Sequence, residues 1–159
     1  MDTAVTRSVF RAPYFERQTL TGFQFGKGDI AARLYDKVLE IQRKSKKFWF
    51  YDLWKLDVIP DGFKVIRVEF QMRRGVLKDL GLDTLAATFP TLENAWAYAS
   101  QKWLTFQDYP ERQYHHRPVS SWWETVQNSF LGIELPSPLI RARAIAIDQE
   151  RLARQGYGF

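Results

Sequence analysis

The run from Val65 to Arg73 constrains this chain more than any other stretch. Ile66, Val68, Phe70 and Met72 alternate strictly with Arg67, Glu69, Gln71 and Arg73. A period of two is the mark of a strand with one apolar and one polar face. The chain must therefore build a sheet that buries one face. The other face carries, in a row, an arginine, a carboxylate, an amide and a second arginine.

The neighbouring segments supply partners for that strand. Thr19–Phe25 (TLTGFQF) reads as a strand with Thr21, Phe23 and Phe25 on one face. Gly26-Lys27-Gly28-Asp29 reads as a hairpin turn, because glycine adopts positive φ without cost. Ile30–Tyr35 is the returning strand. If Ala32 and Leu34 face the core, alternation puts Arg33 and Tyr35 on the other side. At Asp36 the period changes. Asp36 is a good N-cap for a helix carrying Val38, Leu39 and Ile41, and that helix ends in Arg43-Lys44-Ser45-Lys46-Lys47. The basic run suits a helix C-terminus or a phosphate contact equally well. Residues 48–56 are aromatic and read as either helix or strand.

Residues 1–18 are polar and broken by Pro13, and they read as an irregular arm. Beyond Gly75 the pattern turns helical. Short helices are expected at Val76–Leu80 and Leu85–Phe89. A longer one, capped by Thr91, places Leu92, Ala95, Trp96, Ala99, Trp103 and Phe106 on one stripe. Ser121-Trp122-Trp123-Glu124 has capping-box spacing and opens a helix with Trp122, Val126 and Phe130 on its apolar face. Ser137-Pro138 begins a last helix, with Ile145 and Leu152 on one side and Arg141 and Arg143 solvated. The expected class is α+β: a small antiparallel sheet with a connecting helix, followed by a helical C-terminal tail. The expected division is the arm, 1–18, and one domain, 19–159, with its sheet part at about 19–75 and its helical part at about 76–159.

Composition narrows the function classes. The chain has no cysteine, which excludes disulfides and cysteine-ligated zinc. No apolar run approaches the roughly 18 residues of a membrane span, and the first residues hold no signal-peptide core, so a cytoplasmic protein without a membrane partner is expected. Formal net charge is +5, which suits a polyanion. Some of the six tryptophans can serve as stacking platforms for bases, while most must be core. Walker A, GxGxxG, HExxH and Ser-His-Asp patterns are absent. Tyr114-His115-His116-Arg117 reads as a basic surface loop, since adjacent histidines rarely share a metal.

If the two strands pair, one sheet face displays Tyr35, Arg33, Arg67, Glu69, Gln71 and Arg73 together. Arginine binds phosphate oxygens in bidentate fashion, a carboxylate can ligate Mg²⁺ or Mn²⁺, and an activated tyrosine can attack phosphorus. An ordinary solvated face with cross-strand ion pairs has the same pattern.

Two blocks in this region carry a resemblance. The first is Gly26, then Arg33-Leu34-Tyr35-Asp36-Lys37, then Glu40; the second is Arg67, Glu69, Met72 and Arg73. In order and spacing they are similar to two blocks of the plasmid replication initiation factor family, which holds the staphylococcal-type rolling-circle initiators and the related relaxases of conjugative elements. The resemblance covers about residues 19–75. It implies DNA strand nicking and rejoining by tyrosine transesterification, for plasmid replication or transfer of a mobile element. It implies Tyr35 as nucleophile, Arg33 and Arg67 as charge-balancing groups, and Mg²⁺ or Mn²⁺ held by Glu69 and, less directly, Asp36. Lys27, Lys37, Gln71, Arg73 and Arg74 would contact DNA. The partner would be single-stranded or origin DNA. Family members are longer, so the resemblance also implies an upstream N-terminal half, or a homodimer in its place. The rival readings are a single-stranded DNA-binding module that does not cut, and an interaction protein that meets another protein through its basic face.

Overall fold

A computed structural model describes residues 4–108, 117–129 and 138–142. The fold is α+β. Four antiparallel strands form the main sheet: β2 (Arg11–Glu16), β3 (Thr19–Phe25), β4 (Ile30–Asp36) and β5 (Ile66–Met72), in the order β2-β3-β4-β5. A second sheet pairs β1 (Ala4–Thr6) with β6 (Leu104–Phe106).

The alternation of β5 is realised over Val68–Met72, while Ile66 at the strand end is 56% exposed. Val68, Phe70 and Met72 pack on the core, joined from β4 by Ile30, Ala32 and Leu34. The two strands pair in unbroken register from Ile30↔Met72 to Asp36↔Ile66. The β3–β4 turn falls at Gly26–Asp29, where Gly26 has φ +76°. A Cβ on Gly26 would also lie 2.8 Å from the Trp103 ring, so the turn needs glycine twice over.

The arm is the first correction. Residues 4–6 and 11–16 are strands, not irregular chain. Pro13 misleads because it sits in β2, the outermost strand, where a missing N–H costs no ladder bond.

β4 runs straight into helix α1 (Lys37–Glu40), capped by the Asp36 carboxylate, which accepts from the Leu39 N–H at 3.1 Å. The helix continues as a π-helical stretch, Ile41–Ser45, and stops at Lys46 in the left-handed region. The ambiguous aromatic segment forms helix α2 (Trp49–Leu53).

The helical half covers the apolar face with α3 (Arg74–Asp79), α4 (Leu85–Thr88) and α5 (Leu92–Ala97). Thr91 precedes α5 as expected, but its hydroxyl donates back to the Ala87 carbonyl at 2.6 Å instead of capping. After α5 the chain widens into a π-helical stretch, Tyr98–Trp103. The expected helix does not reach Phe106. It gives way to β6 at Leu104, because pairing with β1 satisfies that backbone.

The last described helix, α6 (Ser121–Gln127), corrects a second expectation. Ser120, not Ser121, precedes the first turn, and its hydroxyl donates to Asp108 at 2.6 Å. The helix face is accordingly rotated by one residue. Trp123 is fully buried, while Trp122 is 47% exposed. The Trp123 indole and the Gln127 amide both donate to the Ser100 carbonyl, each at 2.9 Å. That carbonyl stands where the helix stops, and it needs donors from elsewhere.

Arg141 is not solvated: it pairs with Asp79 at 2.6 Å. Phe130, Arg143, Ile145, Leu152 and the 114–116 tyrosine–histidine segment lie outside the described residues. Among the described residues no helix is long and apolar enough to cross a membrane.

Removing the buried indole should separate the two adjacent tryptophans. Trp123→Ala is expected to cost about 3–5 kcal/mol through its cavity and the lost bond to Ser100. Trp122→Ala should cost about 1 kcal/mol. Urea unfolding of both variants measures the difference, and equal costs would contradict this packing.

Candidate nucleic-acid interface

The outer face of the main sheet collects the residues that the strand pattern singled out. Tyr35 faces Arg67 across the β4–β5 ladder, and Arg33 faces Glu69. The side chains bond along the diagonals instead. The Tyr35 hydroxyl donates to Glu69 Oε1 at 3.1 Å, and Arg33 Nη2 donates to Gln71 Oε1 at 3.1 Å. Arg67 Nε lies 2.8 Å from the same Glu69 oxygen. Long side chains can reach diagonal neighbours on a twisted sheet. The pairing of β4 with β5 and the common face of Tyr35 and Glu69 are as expected from the sequence.

The cluster is half-open. Side-chain exposure is 42% at Arg67 and 33% at Glu69, so solvent screens the ion pair. Tyr35 is half-buried. Burial, and next the Glu69 carboxylate, push its phenol up to about 12, against the opposing pull of Arg67. At neutral pH Tyr35 is therefore a neutral phenol with its proton directed at a carboxylate.

Two features of β3 make room for this tyrosine. Gly22 lies directly opposite it, and a Cβ there would sit 2.8 Å from the Tyr35 Cβ and 2.4 Å from the Leu34 carbonyl oxygen. The β2–β3 register shifts between Tyr14 and Phe15, a bulge immediately beside Gly22. Bulges re-aim side chains in this way.

A cleft of about 210 Å³ opens next to Tyr35. Arg33 and Asp36 line it, and so do Tyr14, Glu16, Thr21, Arg43 and Lys44. The Tyr14 hydroxyl donates to Gln24, and Arg43 approaches Glu16 at 4.0 Å. The sequence pattern missed Tyr14 and Glu16 because Pro13 concealed their strand. Arg43 and Lys44 were visible only as part of a basic run.

The remaining expected residues separate. Lys37 is buried, with its ammonium 2.5 Å from Glu40 and over the Phe50 ring at 4.9 Å. It is an internal cation, which corrects its assignment as a DNA contact. Burial opposes the charge on Glu40, but hydrogen bonds from Lys37 and Ser45 outweigh it and hold the carboxyl below its ordinary range. Lys27, Arg73 and Arg74 are exposed at the opposite end of the sheet face, beside the β3–β4 turn. From Tyr35 to that end is roughly 20 Å of strand.

The carboxylates do not gather. Asp36 is engaged in capping α1, and Glu69 already serves two donors. Among the described residues no three His, Asp or Glu side chains come together as metal ligands would. The carboxylate that this face offers to Mg²⁺ or Mn²⁺ is that of Glu69, already bonded to Tyr35 and Arg67. Comparison with protein-family models, curated proteins and solved structures found no match to this chain.

The Tyr35–Glu69 bond has a pH signature. A phenol raised from 10.0 to about 12 adds stability that is present below pH 10 and is lost as pH rises towards 12. In an NMR titration of ring-labelled tyrosine, the Tyr35 ring should titrate with a midpoint of about 12. Glu69→Gln removes the second cause and should lower its midpoint. An unchanged midpoint would show that Glu69 does not govern this phenol.

Proposed function

We propose that the outer sheet face binds the backbone of single-stranded DNA and that Tyr35 is the nucleophile of a strand-nicking and rejoining reaction. The observation that carries this reading is the shared oxygen of Glu69. One carboxylate oxygen accepts the hydrogen bond of the Tyr35 hydroxyl and also holds Arg67, with Arg33 on the same face. The similarity of Gly26–Glu40 and Arg67–Arg73 to the replication initiation family supports the same assignment.

The reaction follows from these groups. A phosphodiester seated over Tyr35 on the sheet face draws Arg33 and Arg67 onto its non-bridging oxygens, where guanidinium geometry matches. Because the phenol is neutral, its proton must leave as the new bond forms. Glu69 takes it as general base. The Tyr35 Oη–P bond forms and the P–O3′ bond breaks. The departing 3′-oxygen takes a proton from water, and the 5′-phosphate stays on Tyr35. The reverse sequence rejoins the strand. The arginines balance the charge that builds on phosphorus-bound oxygen in the transition state.

The raised phenol favours a second reading on the same face. A tyrosine this reluctant to ionise can serve as a hydrogen-bond donor to phosphate in a binding module that does not cut.

The two readings part on a denaturing gel with a labelled single-stranded oligonucleotide, run with Mg²⁺, with Mn²⁺ and with chelator. Nicking leaves a covalent adduct that Tyr35→Phe abolishes and that Glu69→Gln slows by about 10²–10⁴-fold. The Tyr35→Phe variant keeps its DNA affinity. Binding without any adduct under all three conditions supports the module. In either case affinity should fall with salt, with a log–log slope of about −2 to −3 if three or four phosphates are neutralised. Fluorescence anisotropy from low to high salt measures that slope, and no binding at low salt removes both readings.

A further inference from the structure

We propose that the short aromatic helix α2, with the basic turn before it, is a stacking platform for the bases of single-stranded nucleic acid. On the Tyr35 face Tyr14 is 37% exposed, whereas α2 and its flanks expose more than one large ring side by side. Phe48 is 51% exposed and Trp49 56% exposed, although burial is the ordinary fate of such rings. Trp49 lies stacked on Phe50 at 4.0 Å with 19° between the planes. Phe50 in turn packs against Trp54 at 5.6 Å. The inner rings therefore back Trp49 on one face, and more than half of the residue is open to solvent. A flat, exposed indole can stack any base, because every base has a π-face.

Charge complementarity identifies the occupant. Arg43, Lys44, Lys46, Lys47 and Lys55 flank the rings, against the single carboxylate of Asp52 within the same segment. All five cations are exposed. Aromatic rings interleaved with solvated cations match a chain of bases on a phosphate backbone.

Position ties the platform to the tyrosine. The buried Lys37 ammonium lies 6.0 Å from the Tyr35 ring and 4.9 Å from the Phe50 ring, so one side chain spans from the site to the ring cluster. Arg43 and Lys44, on the π-helical stretch before the platform, line the cleft beside Tyr35. A strand whose phosphate lies in that cleft meets these cations and then the exposed rings. A membrane surface also attracts basic aromatic segments, but it calls for a longer apolar stripe than the five residues of α2.

This inference rests on the reading of the Tyr35 face as a phosphodiester site, and the test separates the two. The probe is a fluorescein-labelled oligo(dT), with affinity read by anisotropy for the wild type, Trp49→Ala, Trp49→Phe and the double variant Arg33→Ala/Arg67→Ala. The platform predicts a loss of about tenfold or more for Trp49→Ala. Trp49→Phe should recover most of that loss, and the salt slope should stay at its wild-type value. Wild-type affinity in Trp49→Ala, with a loss in the arginine variant, overturns the platform and leaves the site reading intact. A loss in Trp49→Ala with none in the arginine variant supports the platform and overturns the site reading. Binding of anionic phosphatidylserine vesicles, with none to oligo(dT), overturns both.

Discussion

The register between β4 and β5 decides almost everything else in this protein. The strands pair without a break from Ile30↔Met72 to Asp36↔Ile66. Each strand alternates apolar and polar residues, so a slip of one residue would turn an apolar row to solvent and bury arginines. Only the observed pairing sets Ala32 and Leu34 beside Val68 and Phe70 on the core. The polar face is the necessary complement of that packing. Tyr35, Arg33, Arg67, Glu69 and Gln71 are gathered because their neighbours in sequence must be buried. The site is in this sense the reverse side of the core.

What the fold adds is the tuning of that face. Glu69 accepts from Tyr35 and pairs with Arg67 through one oxygen. The same carboxylate that discourages ionisation of the phenol at rest stands where a leaving proton would go. These are two consequences of one contact. Gly22 and the neighbouring bulge allow the tyrosine to lie close to β3, which covers part of it. That enclosure is the leading cause of its raised pKa.

The charge of +5 is divided by the fold into internal and external parts. Lys37 is drawn inside and paired with Glu40, and the partly covered Arg141 pairs with Asp79. A buried pair of this kind is poor evidence for stability, since desolvation offsets its attraction. Lys37 is better understood as a spacer between two rings. Exposed cations stand at both ends of the sheet face, among them Lys27, Arg73 and Arg74 by the β3–β4 turn and Lys44, Lys46 and Lys47 by the aromatic helix. A polyanion lying along the face would meet positive charge at either end.

The sequence by itself determined the strand at 66–72, its hairpin partners, the Asp36 cap and the face on which Arg33, Tyr35 and Glu69 stand. All of these follow from period-two alternation or from a local side-chain–backbone bond, and both act within a few residues. It did not determine β2, because Pro13 is tolerated only once the strand is known to be outermost. It did not determine the end of the long helix, because β6 exists through pairing with β1, about a hundred residues away in the chain. It placed Trp122 inside where Trp123 belongs, because one residue of helix phase is set by the Ser120–Asp108 bond and the waiting Ser100 carbonyl. The fate of Lys37 was equally hidden: a lysine in a basic motif is solvated by default, and only the approach of Phe50 and Glu40 removes it from water. Local periodicity fixes which face a residue takes; long-range packing fixes what that residue meets there.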